Sequence, residues 1–317
     1  MKSTFIIDLS VGNAIDDLFA LRKVELREFP SGKMIALEIG DKTGRIKGVI
    51  WSGSQEMIKS LIPGKVYRVR GGVTSYKGEI QVSVEKIELS NDYEPQDFLP
   101  VGQIPIEELE NRLDSAISTV NDKDYNRLLN EVFSGKFRSE FLTGVGGKLW
   151  HHNYIGGLAE HTLGVFDICC DISARYSELN RDLLLSGALL HDIGKAASYS
   201  LSNFIDYSDM GRLVGHIVIG DQLINGAVAK LVGFPENKHM MIRHLILSHQ
   251  GTYEQATASL PMMSEAFALY SADYLDSKLA AIRRIKGREY KPGIRWSNYV
   301  NLLERHIYFG DDIEEAV

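Results

Sequence analysis

The sequence predicts a chain of two classes, a small all-β barrel followed by an all-helical domain. Three observations carry this. Residues from about 18 to 89 alternate apolar and polar side chains between Gly and Asp turns, residues 93–105 carry three prolines and little periodicity, and beyond 105 apolar residues recur at spacings of three and four. The 317 residues, 44% hydrophobic and 24% charged, are long enough for two separate cores.

Five runs support the β reading: 20–29, 34–39, 46–51, 66–73 and 79–87. Turns at Ser31-Gly32, at Asp41-Lys42-Thr43-Gly44 and at Tyr76-Lys77-Gly78 separate them. A helix-like piece at 55–61, closed by Pro63-Gly64, falls between the third and fourth runs, and this order of elements suits an OB-fold. We therefore expect an OB-type domain over 1–92, a linker over 93–105 containing Pro95, Pro100 and Pro105, and a helical domain over 106–317. Helices are expected at 106–120, 125–133, 157–176, 182–197, 213–231, 240–248, 264–286 and 296–308. No internal repeat or low-complexity tract interrupts them.

Net charge is −7, which argues against a protein that grips nucleic acid over its whole surface. Between residues 15 and 90, however, 13 Lys/Arg stand against 10 Asp/Glu, so a polyanion would be met by the N-terminal part or by cations held elsewhere. The only two cysteines, Cys169 and Cys170, are neighbours in an apolar helix and read as core packing. No apolar run approaches the ~20 residues that span a bilayer, and residues 1–10 do not resemble a signal peptide, so no membrane partner and a cytoplasmic location are expected. Self-association is left open.

All nine histidines lie in the helical part. His191 and Asp192, in Leu-Leu-His-Asp-Ile-Gly-Lys, fall in the middle of an expected apolar helix, where each polar group left unpaired costs roughly 1 to 3 kcal/mol. His161, His216 and His249 occupy similar apolar surroundings, and Asp273 follows in Tyr-Ser-Ala-Asp-Tyr-Leu-Asp. One buried cluster containing two cations would satisfy all six side chains together. Lys195, one turn after His191, is placed to offset charge on a phosphate, its alternative being a solvated surface lysine. His151 and His152 precede a Gly-Gly turn; one of them, by preference His152, is expected to face the site as a hydrogen-bond or proton donor. His239, His244 and His306 read as structural or surface residues.

The order His, His-Asp, His, His, Asp, with Gly156-Gly157-Leu158-Ala159-Glu160-His161-Thr162, His191-Asp192-Ile193-Gly194-Lys195 and Gly215-His216, resembles the HD superfamily of metal-dependent phosphohydrolases. That resemblance implies His161, His191, Asp192 and Asp273 as ligands of one divalent cation. It also implies Asp192 as a bridge to a second cation, held further by His216 and His249. Manganese is the expected metal, with cobalt, iron, zinc or magnesium as alternatives.

For the barrel, Arg22, Lys23, Arg27, Lys47, Arg68, Arg70 and Lys77 are candidate backbone contacts. Phe29, Trp51, Tyr67 and Tyr76 are candidate stacking surfaces, although Trp51 and Tyr67 also suit a barrel interior. A barrel of this type ahead of such a site resembles the YhaM family of 3′-to-5′ exoribonucleases, on the residues above and on 37–50, 151–162, and 244–251 followed by Ser264-Glu265-Ala266. The resemblance implies manganese-type metal dependence, single-stranded RNA, and single-stranded DNA, as substrate, and nucleoside 5′-monophosphates as products; with the positions read above, Asp192, Lys195 and His152 are the expected catalytic side chains. The chain departs from the family pattern at 144–147, at Gln250 where a second His is common, and at 254–261. Rival readings are a nucleotidase or cyclic-nucleotide phosphodiesterase, and a non-catalytic, replication-associated single-strand-binding protein.

Overall fold

A computed structural model describes residues 2–29, 32–51, 55–94, 97–148, 152–201 and 204–310. The chain divides into two compact units, one of residues 1–101 with 199–207, the other of 102–198 with 208–317.

The first unit is a closed five-stranded barrel, β1 (Ala14–Phe29), β2 (Gly32–Asp41), β3 (Gly44–Trp51), β4 (Val66–Tyr76) and β5 (Glu79–Ser90), in the order β1-β2-β3-β5-β4. All neighbours are antiparallel except β3 and β5, which run parallel over Lys47–Gln81 to Val49–Ser83. α1 (Gln55–Ser60) lies between β3 and β4, so the architecture is that of an OB-type barrel. β1 begins earlier than its alternation suggested, because its first half pairs with β4 and only its second half with β2. The change of partner coincides with a register shift between Leu21 and Lys23, which makes Arg22 a bulge residue. Inward-facing Phe19, Leu21, Ile35, Leu37, Ile39, Ile46, Ile50, Val69, Val73, Val82 and Val84 fill the interior.

The expected linker is partly folded. Phe98 is buried against Ala20 and Val66, Tyr93 meets it edge-on at 5.5 Å, and Lys42 N–H donates to Asp97 O at 3.0 Å. A hairpin of β6 (Tyr199–Leu201) and β7 (Ile205–Tyr207) also belongs to this unit, with Phe204 packed on the Ala20, Val66 and Phe98 cluster. Strands of three residues are too short to show a period, which is why alternation does not reveal them.

The second unit contains α2 (Ile106–Ser118), α3 (Lys123–Val132), α4 (Gly135–Thr143), α5 (Gly157–Arg175), α6 (Arg181–Leu190), α7 (Lys195–Ser198), α8 (Asp209–Leu213), α9 (His216–Val228), α10 (Glu236–Ser248) and α11 (Ser264–Glu289). α6 is buried from Leu183 to Leu190 and packs against α5, α10 and α11. A helix apolar on every side belongs at the centre of a bundle. α4 was not expected, since Phe137, Phe141 and Leu142 are its only aromatic or aliphatic side chains in contact with the core.

Three expected helices are corrected. The helix 182–197 stops at Leu190, with His191 as its C-cap, and residues 191–194 form a turn before α7. Gly194 explains the turn: a Cβ there would stand 1.9 Å from His216 O and 2.6 Å from Gly220 N, so only glycine lets this backbone approach α9. The helix 213–231 is broken at Gly215, whose φ of +81° suits glycine, and α9 starts at His216. Residues 296–308 form no helix; isolated bridges Trp296↔Tyr308 and Val300↔Arg305 pair the two arms of a loop, with the Trp296 and Tyr308 rings 4.8 Å apart. That aromatic cross-strand pair outweighed a short helical spacing.

Candidate metal centre

The break after Leu190 places the polar pair at a helix end rather than inside a helix. A C-terminal turn exposes carbonyls that an imidazole can use. His191 Nδ1–H donates to Ala188 O at 2.8 Å, and His249, C-cap of α10, repeats the arrangement with Ile246 O at 2.7 Å. Each hydrogen bond assigns the proton to Nδ1 and leaves Nε2 as a lone pair directed into the bundle. His161, on α5, donates from Nδ1 to Asp276 Oδ2 at 2.6 Å, with the same result.

These lone pairs converge on Asp192. Its Oδ2 lies 3.4 Å from His161 Nε2 and 3.3 Å from His191 Nε2. Asp273 Oδ1, from α11, is 3.2 Å from His161 Nε2 and 4.0 Å from His191 Nε2. The other oxygen of Asp192, Oδ1, lies 3.5 Å from both His216 Nε2 and His249 Nε2. The six candidate ligands are thus brought into one cluster, divided by the two oxygens of a single carboxylate. His161, His191, Asp192 and His249 are fully buried.

Three features test whether this donor set fits divalent cations. Both Asp192 oxygens and His216 Nε2 are buried without a hydrogen-bond partner among the described residues. His161 Nε2 and His191 Nε2, both lone pairs by the assignment above, face each other at 3.3 Å, an arrangement that is repulsive unless a cation or proton stands between them. Metal bonds of about 2.1 Å give donor edges of about 3.0 to 3.4 Å, which is the spacing around Asp192 Oδ2. The residues fit.

The electrostatics agree. Burial works to raise the Asp192 carboxyl, but Lys195, His191 and His161 outweigh it and hold it well below the usual carboxylate range. Asp273 is likewise depressed, with burial opposed by His161 and His191. For His161 burial is the largest influence and acts downward, yet Asp192, Asp273 and Asp276 together keep it well above the usual imidazole range. A metal ion competes with that proton. Burial pushes His216 down to about 3, although 26% of its side chain is open and solvent screens part of the effect.

Lys195 is buried, 8% exposed, and so is no solvated surface lysine; its Nζ lies 2.6 Å from Asp192 Oδ2 as an ion pair. His151 lies outside the described residues. His152 is buried with both ring nitrogens engaged: Nε2–H donates to Asp276 Oδ2 at 3.1 Å, and Nδ1 shares a hydrogen bond of 2.9 Å with the Tyr154 hydroxyl. Asp276 was missed by the sequence reading. The signal was present, since it lies one turn after Asp273 on α11, but nothing in the sequence pairs it with α5. Gln250 Nε2 donates to His249 Nε2 at 3.1 Å, so the position that departs from the family pattern touches the cluster directly.

The barrel candidates separate into groups. Register places Lys23, Glu38 and Lys47 in one row across β1, β2 and β3, and Arg27, Met34 and Trp51 in the next but one. Cross-strand partners share a face, so Lys23, Arg27, Lys47 and Trp51 come together, with Trp51 61% exposed. Tyr76 and Lys77 stand at the β4–β5 turn, beside Glu79, which pairs with Lys47. Arg68 and Arg70 are elsewhere, on β4, held by Asp16 at 2.6 and 2.9 Å. Arg22 is not on the exposed face: its Nε is buried without a partner among the described residues, its guanidinium lies 4.9 Å from the Phe204 ring, and burial and Arg45 push it down to about 10. Tyr67 fills the barrel, its hydroxyl accepting from Ile62 N–H at 2.8 Å. The Phe29 side chain lies outside the described residues.

Comparison with known proteins agrees with this architecture. Residues 158–278 match the HD domain and residues 22–90 match the OB-fold nucleic acid binding domain. The chain therefore carries an OB-fold ahead of a helical region that holds an HD domain, and an HD domain indicates a metal-dependent phosphohydrolase. Among solved structures, the crystal structure of the p204 HINb domain matches at 21% identity over 28% of this chain and 46% of that one, with a TM-score of 0.22, too low to inform the fold. The chain thus spans under half the length of that structure. No helix among the described residues is long and apolar enough to cross a membrane.

Proposed function

We propose that this protein is a metal-dependent 3′-to-5′ exonuclease acting in the cytoplasm on single-stranded RNA, and on single-stranded DNA, to release nucleoside 5′-monophosphates. The observation that carries the proposal is the division of labour at Asp192, one carboxylate oxygen facing His161 and His191, with Asp273 beside those imidazoles, and the other oxygen facing His216 and His249. Divalent cations held by these six side chains, manganese first among them, would supply Lewis acidity toward phosphate oxygens and an acidified water.

The chain's own residues do the rest. Ala188 O, Ile246 O and Asp276 keep the three imidazoles in the ligating tautomer. Lys195 brings an ammonium to the same cluster, where it offsets charge that grows on the phosphate oxygens. The water oxygen bonds to phosphorus, the bond to the 3′ oxygen of the penultimate nucleotide breaks, and a proton ends on that oxygen. The face of Lys23, Arg27, Lys47 and Trp51 supports strand binding by the barrel. Its ion pairs are exposed and screened by solvent, so phosphates can displace Glu25 and Glu79 from them.

The test is digestion of 5′-labelled single-stranded RNA by manganese-loaded protein, beside Asp192→Ala and a panel of mononucleotides. A ladder shortening from the 3′ end, lost in Asp192→Ala, is expected. Turnover of mononucleotides alone would make the protein a nucleotidase, binding without cleavage would make it a strand-binding protein, and an Asp192→Ala protein as active as the parent would sink the mechanism.

A further inference from the structure

Behind the six candidate ligands stands a second layer built around Asp276, a residue to which the reading above gives only a tautomer. One oxygen, Oδ2, accepts from His161 Nδ1–H at 2.6 Å and from His152 Nε2–H at 3.1 Å. His152 is fixed in turn by the Tyr154 hydroxyl and holds a left-handed backbone, φ +47°, with its carbonyl accepting from Gly146 N–H at 2.9 Å. A non-glycine residue in that region is strained and persists only where its surroundings over-determine it. The surroundings here do so. A Cβ on Gly157 would stand 2.0 Å from His152 O, and a Cβ on Gly164 would stand 2.7 Å from Asp276 Oδ1, so α5 is cut away at two points to admit this layer.

His152, His161 and Asp276 have donor atoms close enough to suggest a third cation. The 2.6 Å contact excludes one between His161 and Asp276, because two metal bonds of about 2.1 Å would hold the donors further apart. The cluster is a hydrogen-bonded support.

We propose that Asp276 is a positioning residue that clamps His161 and His152 with one carboxylate oxygen, so that His161 Nε2 is presented to the cation and His152 acts as a prop rather than as a proton donor to the leaving group. This rests on the reading of His161 as a ligand. One carboxylate oxygen lies within hydrogen-bond distance of both imidazole N–H groups, 2.6 Å from His161 Nδ1 and 3.1 Å from His152 Nε2, and so accepts from both. An amide in its place carries no charge: its oxygen accepts more weakly from both imidazoles, and its NH2 group, if turned toward His161 Nδ1, reverses the tautomer.

The experiment is titration of the metal-free protein with Co²⁺, followed by its visible absorption, for the parent, Asp276→Asn and Asp276→Glu, with thermal melting of each metal-free protein alongside. The expected result is a 10- to 100-fold loss of Co²⁺ affinity and an altered spectrum in Asp276→Asn, with a near-parental melt and partial recovery in Asp276→Glu. Parental affinity and spectrum in a folded Asp276→Asn would overturn the positioning role while leaving the metal reading intact. A parent that takes up no Co²⁺ would overturn both. Should Asp276→Asn fail to fold, Gly164→Ala decides. It displaces the carboxylate without removing it: weakened Co²⁺ uptake supports the clamp, and parental uptake removes it.

Discussion

Among the described residues, neither of the two buried oxygens of Asp192 has a hydrogen-bond donor, and Lys195 is the one lysine or arginine paired with it. An ammonium satisfies one oxygen by charge alone, and the oxygen facing His216 and His249 is left with imidazoles. This asymmetry makes Lys195 informative. If its role is to stabilise the charge that grows on phosphate during bond cleavage, Lys195→Met, which keeps the stem and its packing, should lower kcat by roughly 100- to 1000-fold and change KM little, as steady-state kinetics on a short single-stranded RNA would show. A parental kcat would reduce Lys195 to a counter-charge for Asp192.

At the level of elements, the cluster depends on where helices stop. α6 ends at Leu190 so that His191 reaches back to its last turn, α9 begins at His216 beyond Gly215, and α10 ends at Ser248 so that His249 repeats the geometry of His191. Support further out is ordinary helix chemistry. Asp122 caps α3, accepting from Asp124 N–H at 3.0 Å and Tyr125 N–H at 3.2 Å, and it also holds Lys238 from α10. Asp122→Ala should cost about 1 to 2 kcal/mol and lower the melting temperature by about 2 to 8 °C. Burial acts to raise the Asp122 carboxyl, but Lys238 and the two amides outweigh it, so its folded value lies below the unfolded 3.8. The cap therefore stabilises the protein above pH 3.8 and loses its effect as pH falls through the lowered folded value. The difference between parent and variant, read by denaturant unfolding across pH, should narrow only in strong acid.

On the scale of the molecule, the two units have separate chemistry and separable tests. Trp51 is exposed in the row of Arg27 and Met34, and stacking on such a ring is worth about 1 to 3 kcal/mol per base. Trp51→Ala should weaken single-stranded RNA binding by roughly 5- to 100-fold, measured by fluorescence anisotropy in an Asp192→Ala background so that the strand stays intact. Hydrolysis of a small chromogenic phosphodiester by the otherwise parental Trp51→Ala protein should be unchanged. A loss of both would place Trp51 in the fold rather than at the strand.

Residue types and their order were sufficient for the two classes of architecture and for the six side chains of the cluster, Asp192 among them, because alternation, helical spacing and polar groups in apolar runs are local properties. They were also sufficient to mark Lys195. Tertiary structure decided what local order cannot carry. It ended α6 at Leu190, through the close approach of Gly194 to His216 O; it folded 296–308 as paired arms; and it withdrew Arg22 and Tyr67 from the candidate strand-binding set, since a bulge and a barrel interior depend on which strands pair. It also joined Asp276 to His161 and His152 across more than a hundred residues, a contact that exists only because α11 packs along α5. Sequence names the donors, and packing determines which atom each one turns toward its neighbours.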